Sequence, residues 1–153
     1  MSRHALRLLL VCLAASLVAL PDAARALDRP GTITITDTTA RHTRVDVGHA
    51  GRSAGDVDIY SLVLYNKRIT ARAIGHGEMV CTAVGGKGQS CVASYLLPKG
   101  QIVAQGLITS RLIYELAVVG GSGLYDNVRG SLTVTSLHRS NPVRELLVFR
   151  LVV

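Results

Sequence analysis

The sequence predicts an all-β domain, an antiparallel barrel or sandwich of roughly eight short strands. Three observations carry this. Apolar residues recur with a period of two along much of the chain, no segment shows a helical period with caps, and glycine-rich turns interrupt the strands at short, even intervals. A single Phe and no Trp argue against a sandwich built around a buried tryptophan. A closed barrel removes exposed sheet edges, and at about eight strands it has room for one small ligand.

The 153 residues begin with a segment of a different kind. Arg3 and Arg7 precede an apolar run from Leu8 to Leu20, broken only by Ser16. Pro21 ends the run, and Ala24-Arg25-Ala26 offers the small residues that a signal peptidase reads. The run is shorter than the roughly 20 residues needed to span a bilayer. Residues 1–26 are therefore expected to be a secretory signal, with a secreted, extracellular product beginning at Leu27 and no membrane association after cleavage. Cys12 lies inside the apolar run and lacks the small residues of a lipidation site before it.

The first strand expected is Gly31 to Thr36, where Thr and Ile alternate. Ala40 to Ala54 is polar and glycine-interrupted, a loop or weak strand, so residues 27–54 read as a partly flexible N-terminal strand and loop ahead of a barrel over 55–153. From Val57 to Tyr65 both alternating sets are largely apolar, a strand covered on both faces. Ile69 to Val84 contains Gly75 and Gly77, which suggest a bend or bulge. Ser90–Leu97, Gln101–Thr109, Leu112–Val119, Val128–Thr135 and Val143–Val153 complete the set.

The formal charge of +7 falls to +5 once Arg3, Arg7 and Arg25 are set against Asp22 and removed with the signal. The remaining basic residues are scattered and no aromatic ladder lies between them. This disfavours a nucleic-acid partner.

Cys81 and Cys91 are the cysteines left after cleavage, with Gly85, Gly86 and Gly88 between them. A symmetric hairpin about Gly86 sets them opposite each other, within disulfide reach. The favoured reading is a disulfide, and the alternative is two buried thiols. A metal site is weaker, because two thiolates leave zinc short of ligands unless His76 joins. His76 and Glu78 share one strand face and could form an acid–base pair, with Gly75 and Gly77 leaving room for a ligand. Arg72, Glu78, Glu115 and Arg129 are the charged groups expected to face a lumen.

From Gly55 the chain resembles the dirigent proteins. Gly55-Asp56-Val57-Asp58-Ile59-Tyr60-Ser61-Leu62-Val63-Leu64-Tyr65-Asn66 is similar to their first barrel strand. Gly77-Glu78-Met79-Val80-Cys81 is similar to the strand after it, and Gly100 to Gly106 to their central strand. Leu116-Ala117-Val118-Val119-Gly120-Gly121-Ser122-Gly123-Leu124-Tyr125, followed by Val128-Arg129-Gly130, is close to their glycine signature. Allene oxide cyclases share this barrel. The resemblance implies an eight-stranded antiparallel β-barrel of the calycin type, a homotrimer or homodimer, with a pocket for a hydrophobic or phenolic ligand. It implies a protein that steers a stereoselective coupling or cyclisation by orientation. If it is an enzyme, it is a cofactor-independent isomerase or cyclase, with no metal. Leu62 and Leu124 stand where dirigent proteins carry acidic residues. Arg129 and Tyr125 match the family's arginine and aromatic positions. The expected catalytic groups are Glu78 and Arg129, and the expected ligand contacts are Tyr125, Arg129, His76 and Tyr60. The alternative function is a non-catalytic structural or interaction barrel. Charged groups converging in an open pocket favour the first reading, and a lumen filled by Leu, Ile and Val favours the second.

Overall fold

The computed structural model describes residues 31–66, 72–138 and 142–152. The signal assigned to residues 1–26 lies outside them. Eight strands run in order: β1 (Gly31–Val45), β2 (Val57–Asn66), β3 (Ala73–Gly85), β4 (Gly88–Leu97), β5 (Gly100–Ile108), β6 (Ile113–Gly123), β7 (Arg129–His138) and β8 (Arg144–Val152). Each pairs antiparallel with the next, and β8 pairs with β1 to close an eight-stranded barrel.

β1 is the principal departure from the sequence reading. It continues through Ala40 to Val45, pairing with β8 along its first half and with β2 along its second. The barrel therefore includes a strand that was assigned to a segment ahead of it. The polar composition misleads because a bulge between Thr39 and Arg41 changes the phase of this strand. Ahead of the bulge Ile35, Asp37 and Thr39 face inward. Beyond it His42 and Arg44 do so, opposite the inward Tyr60 and Asp58.

Inward faces elsewhere follow the period of two. Asp58, Tyr60, Leu62 and Leu64 alternate with half-buried neighbours on β2. Gln89, Cys91, Ala93, Tyr95 and Leu97 alternate with mostly exposed neighbours on β4. One half of the lumen is filled. Tyr95 and Phe149 meet edge to face there, with centroids 5.3 Å apart and planes at 83°. Leu64, Ile102 and Leu132 are fully buried in the same cluster. Each such side chain contributes about 1.5–3 kcal/mol on burial.

Cys81 and Cys91 are direct partners across β3 and β4 and are joined by a disulfide, with S–S 2.06 Å and Cα–Cα 4.1 Å. Closing this short loop restricts the unfolded chain. Cys81→Ala/Cys91→Ala is expected to lower stability by about 2–3 kcal/mol in urea denaturation. An unchanged midpoint would contradict that contribution.

Candidate functional site

The other half of the lumen is open. A cavity of about 570 Å³ lies between the inward faces of β2, β3, β6 and β8 and the β5–β6 connection. Its walls are largely apolar, with Leu62, Met79, Ile108 and Val143 among them, and the Cys81 end of the disulfide joins them. Two polar clusters bound it.

The first cluster forms the mouth and is organised by Asp58, which is 1% exposed. His42 Nε2 lies 2.8 Å from Asp58 Oδ1, and Arg44 Nε donates to the same oxygen at 3.1 Å. Gln89 Nε2 donates to Oδ2 at 2.7 Å. Burial alone would raise this carboxyl, but the hydrogen bonds from Arg44, His42 and Gln89 outweigh it and hold the pKa at about 2. Arg111 Nη2 donates to Tyr60 Oη at 2.8 Å and to Gln89 Oε1 at 3.1 Å. The His42 ring stacks on Tyr60, 4.5 Å between centroids and 3° between planes. The mouth is thus a braced ring of donors and two flat rings.

The second cluster lies deeper. Tyr114 Oη donates to Glu145 Oε2 at 3.3 Å, and both residues line the cavity. Asp37 sits directly across from Glu145 in the β1–β8 register. Burial, then the neighbouring Glu145 charge, push the Asp37 pKa up to about 8. Burial also raises Glu145, against the Tyr114 hydrogen bond and the Arg111 charge. Burial raises the Tyr114 phenol in turn. Near neutral pH Asp37 therefore keeps its proton beside Glu145. Such a pair, with a phenol on one member, can accept or return a proton to a bound molecule.

The sequence-derived site residues fall in three places. Tyr60 lines the cavity. His76 and Glu78 are exposed on the outer face of β3, because Gly77 holds the inward phase. The space beside Gly77 is filled rather than open. A Cβ there would lie 3.1 Å from Tyr95 Cδ1 and 3.1 Å from the Ser94 carbonyl oxygen. Arg72, Glu115 and Arg129 are likewise exposed, on the outer phase of their strands or beyond them. Tyr125 packs half-buried against the core near the β4–β5 turn, at the end of the barrel away from the mouth. Arg129 begins β7 at that same end.

The glycine signature shapes this closed end. A Cβ on Gly121 would lie 2.4 Å from the Tyr125 carbonyl oxygen and 2.5 Å from that of Gln101, so the corner admits no side chain. Leu124 donates its amide to the Lys99 carbonyl at 2.8 Å, tying the corner to the neighbouring turn. The motif makes room for backbone, not for a ligand.

Asp37, His42, Asp58, Arg111, Tyr114 and Glu145 were not singled out by the sequence reading. A signal for three of them exists: a carboxylate in the apolar phase of a strand. Asp37 follows Ile33 and Ile35, Asp58 precedes Leu62 and Leu64, and Glu145 precedes Leu147 and Phe149.

No family model matches the sequence, and no curated protein matches it. Solved structures do match. Pyocyanin demethylase superposes with a TM-score of 0.68 at 25% identity, over 79% of this chain and 99% of that one. A pterocarpan synthase dirigent protein gives 0.66 at 13% identity, over 81% and 88%. The fold is that of the dirigent-like barrels. A Diels Alderase from Streptomyces koyangensis also superposes, with a TM-score of 0.62 at 13% identity over 98% of this chain and 81% of that one. Leu62 and Leu124 acquire a meaning against that fold. Leu62 is part of the cavity wall, whereas Leu124 is 67% exposed at the closed end. Glu145 is the carboxylate in the cavity wall, and Asp58 lies behind the mouth residues His42 and Gln89.

Proposed function

We propose that this barrel is a secreted binder of a small hydrophobic or phenolic molecule and steers that molecule's coupling or cyclisation. The observation that carries the reading is the half-open lumen, with an apolar wall ending on the Tyr114–Glu145 pair. Charged groups converge there, whereas a structural barrel has no need of them. A flat body fits against Leu62, Met79 and Ile108. A hydroxyl at its inner edge meets Glu145, which accepts its hydrogen bond beside the one it already takes from Tyr114. Tyr60 and His42 present flat faces at the mouth. Holding a reactive molecule in one pose supplies most of the selectivity, and Glu145, the carboxylate in the wall, takes the proton from the bound hydroxyl and returns it to the product once the new bond has formed. No metal or organic cofactor is required for these steps. Glu78, His76, Tyr125 and Arg129 do not line the cavity. The Cys81–Cys91 disulfide supports the export reading, since such bonds persist in oxidising compartments.

Fluorescence titration of the protein beginning at Leu27 with phenylnaphthylamine, alongside native mass spectrometry with a panel of phenols, tests the reading. Binding is expected in the micromolar range, about −8 kcal/mol. Met79→Trp fills the cavity and is expected to weaken binding at least about tenfold while unfolding stays cooperative. Equal affinity in the filled variant would place the ligand elsewhere and end this reading.

A further inference from the structure

The mouth of the cavity continues into a second depression, of about 250 Å³. The β1–β2 loop brings Arg52 to it, the β3–β4 turn brings Lys87, and the β5–β6 connection brings Arg111. No Asp or Glu lines it among the described residues. Gln89, Ile108 and Arg111 line both concavities, so the two are continuous.

The carboxylates nearby are already engaged. Asp56 accepts from the amides of Val47 and Ser53, and Asp46 from the amide of Gly51, so both hold the loop that carries Arg52. Asp58 is enclosed by His42, Arg44 and Gln89. Among the described residues both Arg111 hydrogen bonds, and its 3.9 Å ion pair with Asp58 Oδ2, use Nη2, which leaves its other donors for a partner. A guanidinium held in this way presents a planar fork suited to an oxyanion.

From this arrangement we infer that the depression is a subsite for an anionic group, a carboxylate, sulfonate or phosphate, on the molecule whose apolar body occupies the cavity. The inference rests on the cavity reading above and adds the charge of the ligand. Arg111 is the hinge between the two parts: one edge braces Tyr60 and Gln89, and the other faces the anion. Arg52 and Lys87 complete a cationic pocket that a neutral ligand leaves unused.

Two probes that share one aromatic body separate the parts, phenylnaphthylamine without a charge and anilinonaphthalene sulfonate with one. The sulfonate is expected to bind about tenfold tighter. Arg52→Gln/Lys87→Gln is expected to cut the ratio to about three, the remainder carried by Arg111, with the neutral probe unaffected. Lys99→Gln/Arg150→Gln removes the same charge at the closed end and is expected to keep the preference, which separates a local site from the general field of a basic protein. A ratio near one in the unmodified protein overturns the subsite while the cavity stands, as does a preference left undiminished by the Arg52/Lys87 change. Failure of the neutral probe to bind overturns the cavity reading, and the subsite with it.

Discussion

Asp37→Asn is expected to stabilise the protein at pH 8 and to flatten much of its pH dependence between about pH 4 and 8. Asp37 is 1% exposed, and its Oδ1 has no hydrogen-bond partner among the described residues. Burial and the Glu145 charge carry its pKa from 3.8 to about 8. The sign follows from proton counts. Between those values the folded chain holds a proton that the unfolded chain has lost, so stability falls as pH rises and levels off above about 8. At about 1.4 kcal/mol per unit, the effect across the window is several kcal/mol. Asn keeps the shape of the neutral carboxyl and supplies a donor at all pH values, so the cost of ionising a buried carboxyl disappears. Glu145 is shifted in the same direction and remains, so the slope shrinks rather than vanishes. Chemical denaturation of both proteins at intervals from pH 4 to 9 reads this directly. Parallel curves for the two would mean that Asp37 does not titrate in this window.

Asp58→Ala is expected to cost about 2–4 kcal/mol, because hydrogen bonds to charged groups contribute about 1.5–3 kcal/mol each. Arg44 and His42 are partly exposed and recover water, which keeps the total below the simple sum. For a domain of this size the loss lowers Tm by about 10 °C. The same substitution releases His42 from its stack on Tyr60 and frees Gln89, so the mouth loosens together with the fold. The pH signature is opposite to that of Asp37. A carboxyl held at about 2 stabilises fully above its unfolded value of 3.8, and the contribution is lost as pH falls through about 2. The variant is therefore expected to lack the part of the acid transition between pH 4 and 2 that the parent shows. A loss smaller than about 0.5 kcal/mol, the size of an ordinary surface change, would show that Arg44, His42 and Gln89 re-form their contacts without the carboxylate.

The eight strands were legible because a half-buried strand repeats every two residues, and that repeat survives in the linear order. The pairing of Cys81 with Cys91 was legible for the same reason, since a short hairpin makes register a matter of counting. The site was legible only in part. Tyr60, expected as a ligand contact, lines the cavity on the face it shares with Leu62 and Leu64, but the sequence leaves both faces of that strand largely apolar. Glu78 and Arg129 were misplaced because a charged residue on either phase reads alike until a neighbour shows which face is enclosed. The glycine signature drew attention to Tyr125 and Arg129, yet those glycines are there so that backbone can pass backbone at the closed end.

What the sequence by itself determined was therefore the local order: an all-β chain, its turn positions, the cysteine register and the resemblance to a dirigent-like barrel. Only the tertiary structure decided which end is open, where β1 belongs and which charges meet. The physical reason lies in the bulge between Thr39 and Arg41. One extra residue turns His42 and Arg44 inward toward Tyr60 and Asp58, and closure of β1 on β8 sets Asp37 beside Glu145. Those contacts join residues far apart in the chain, and no local pattern records them.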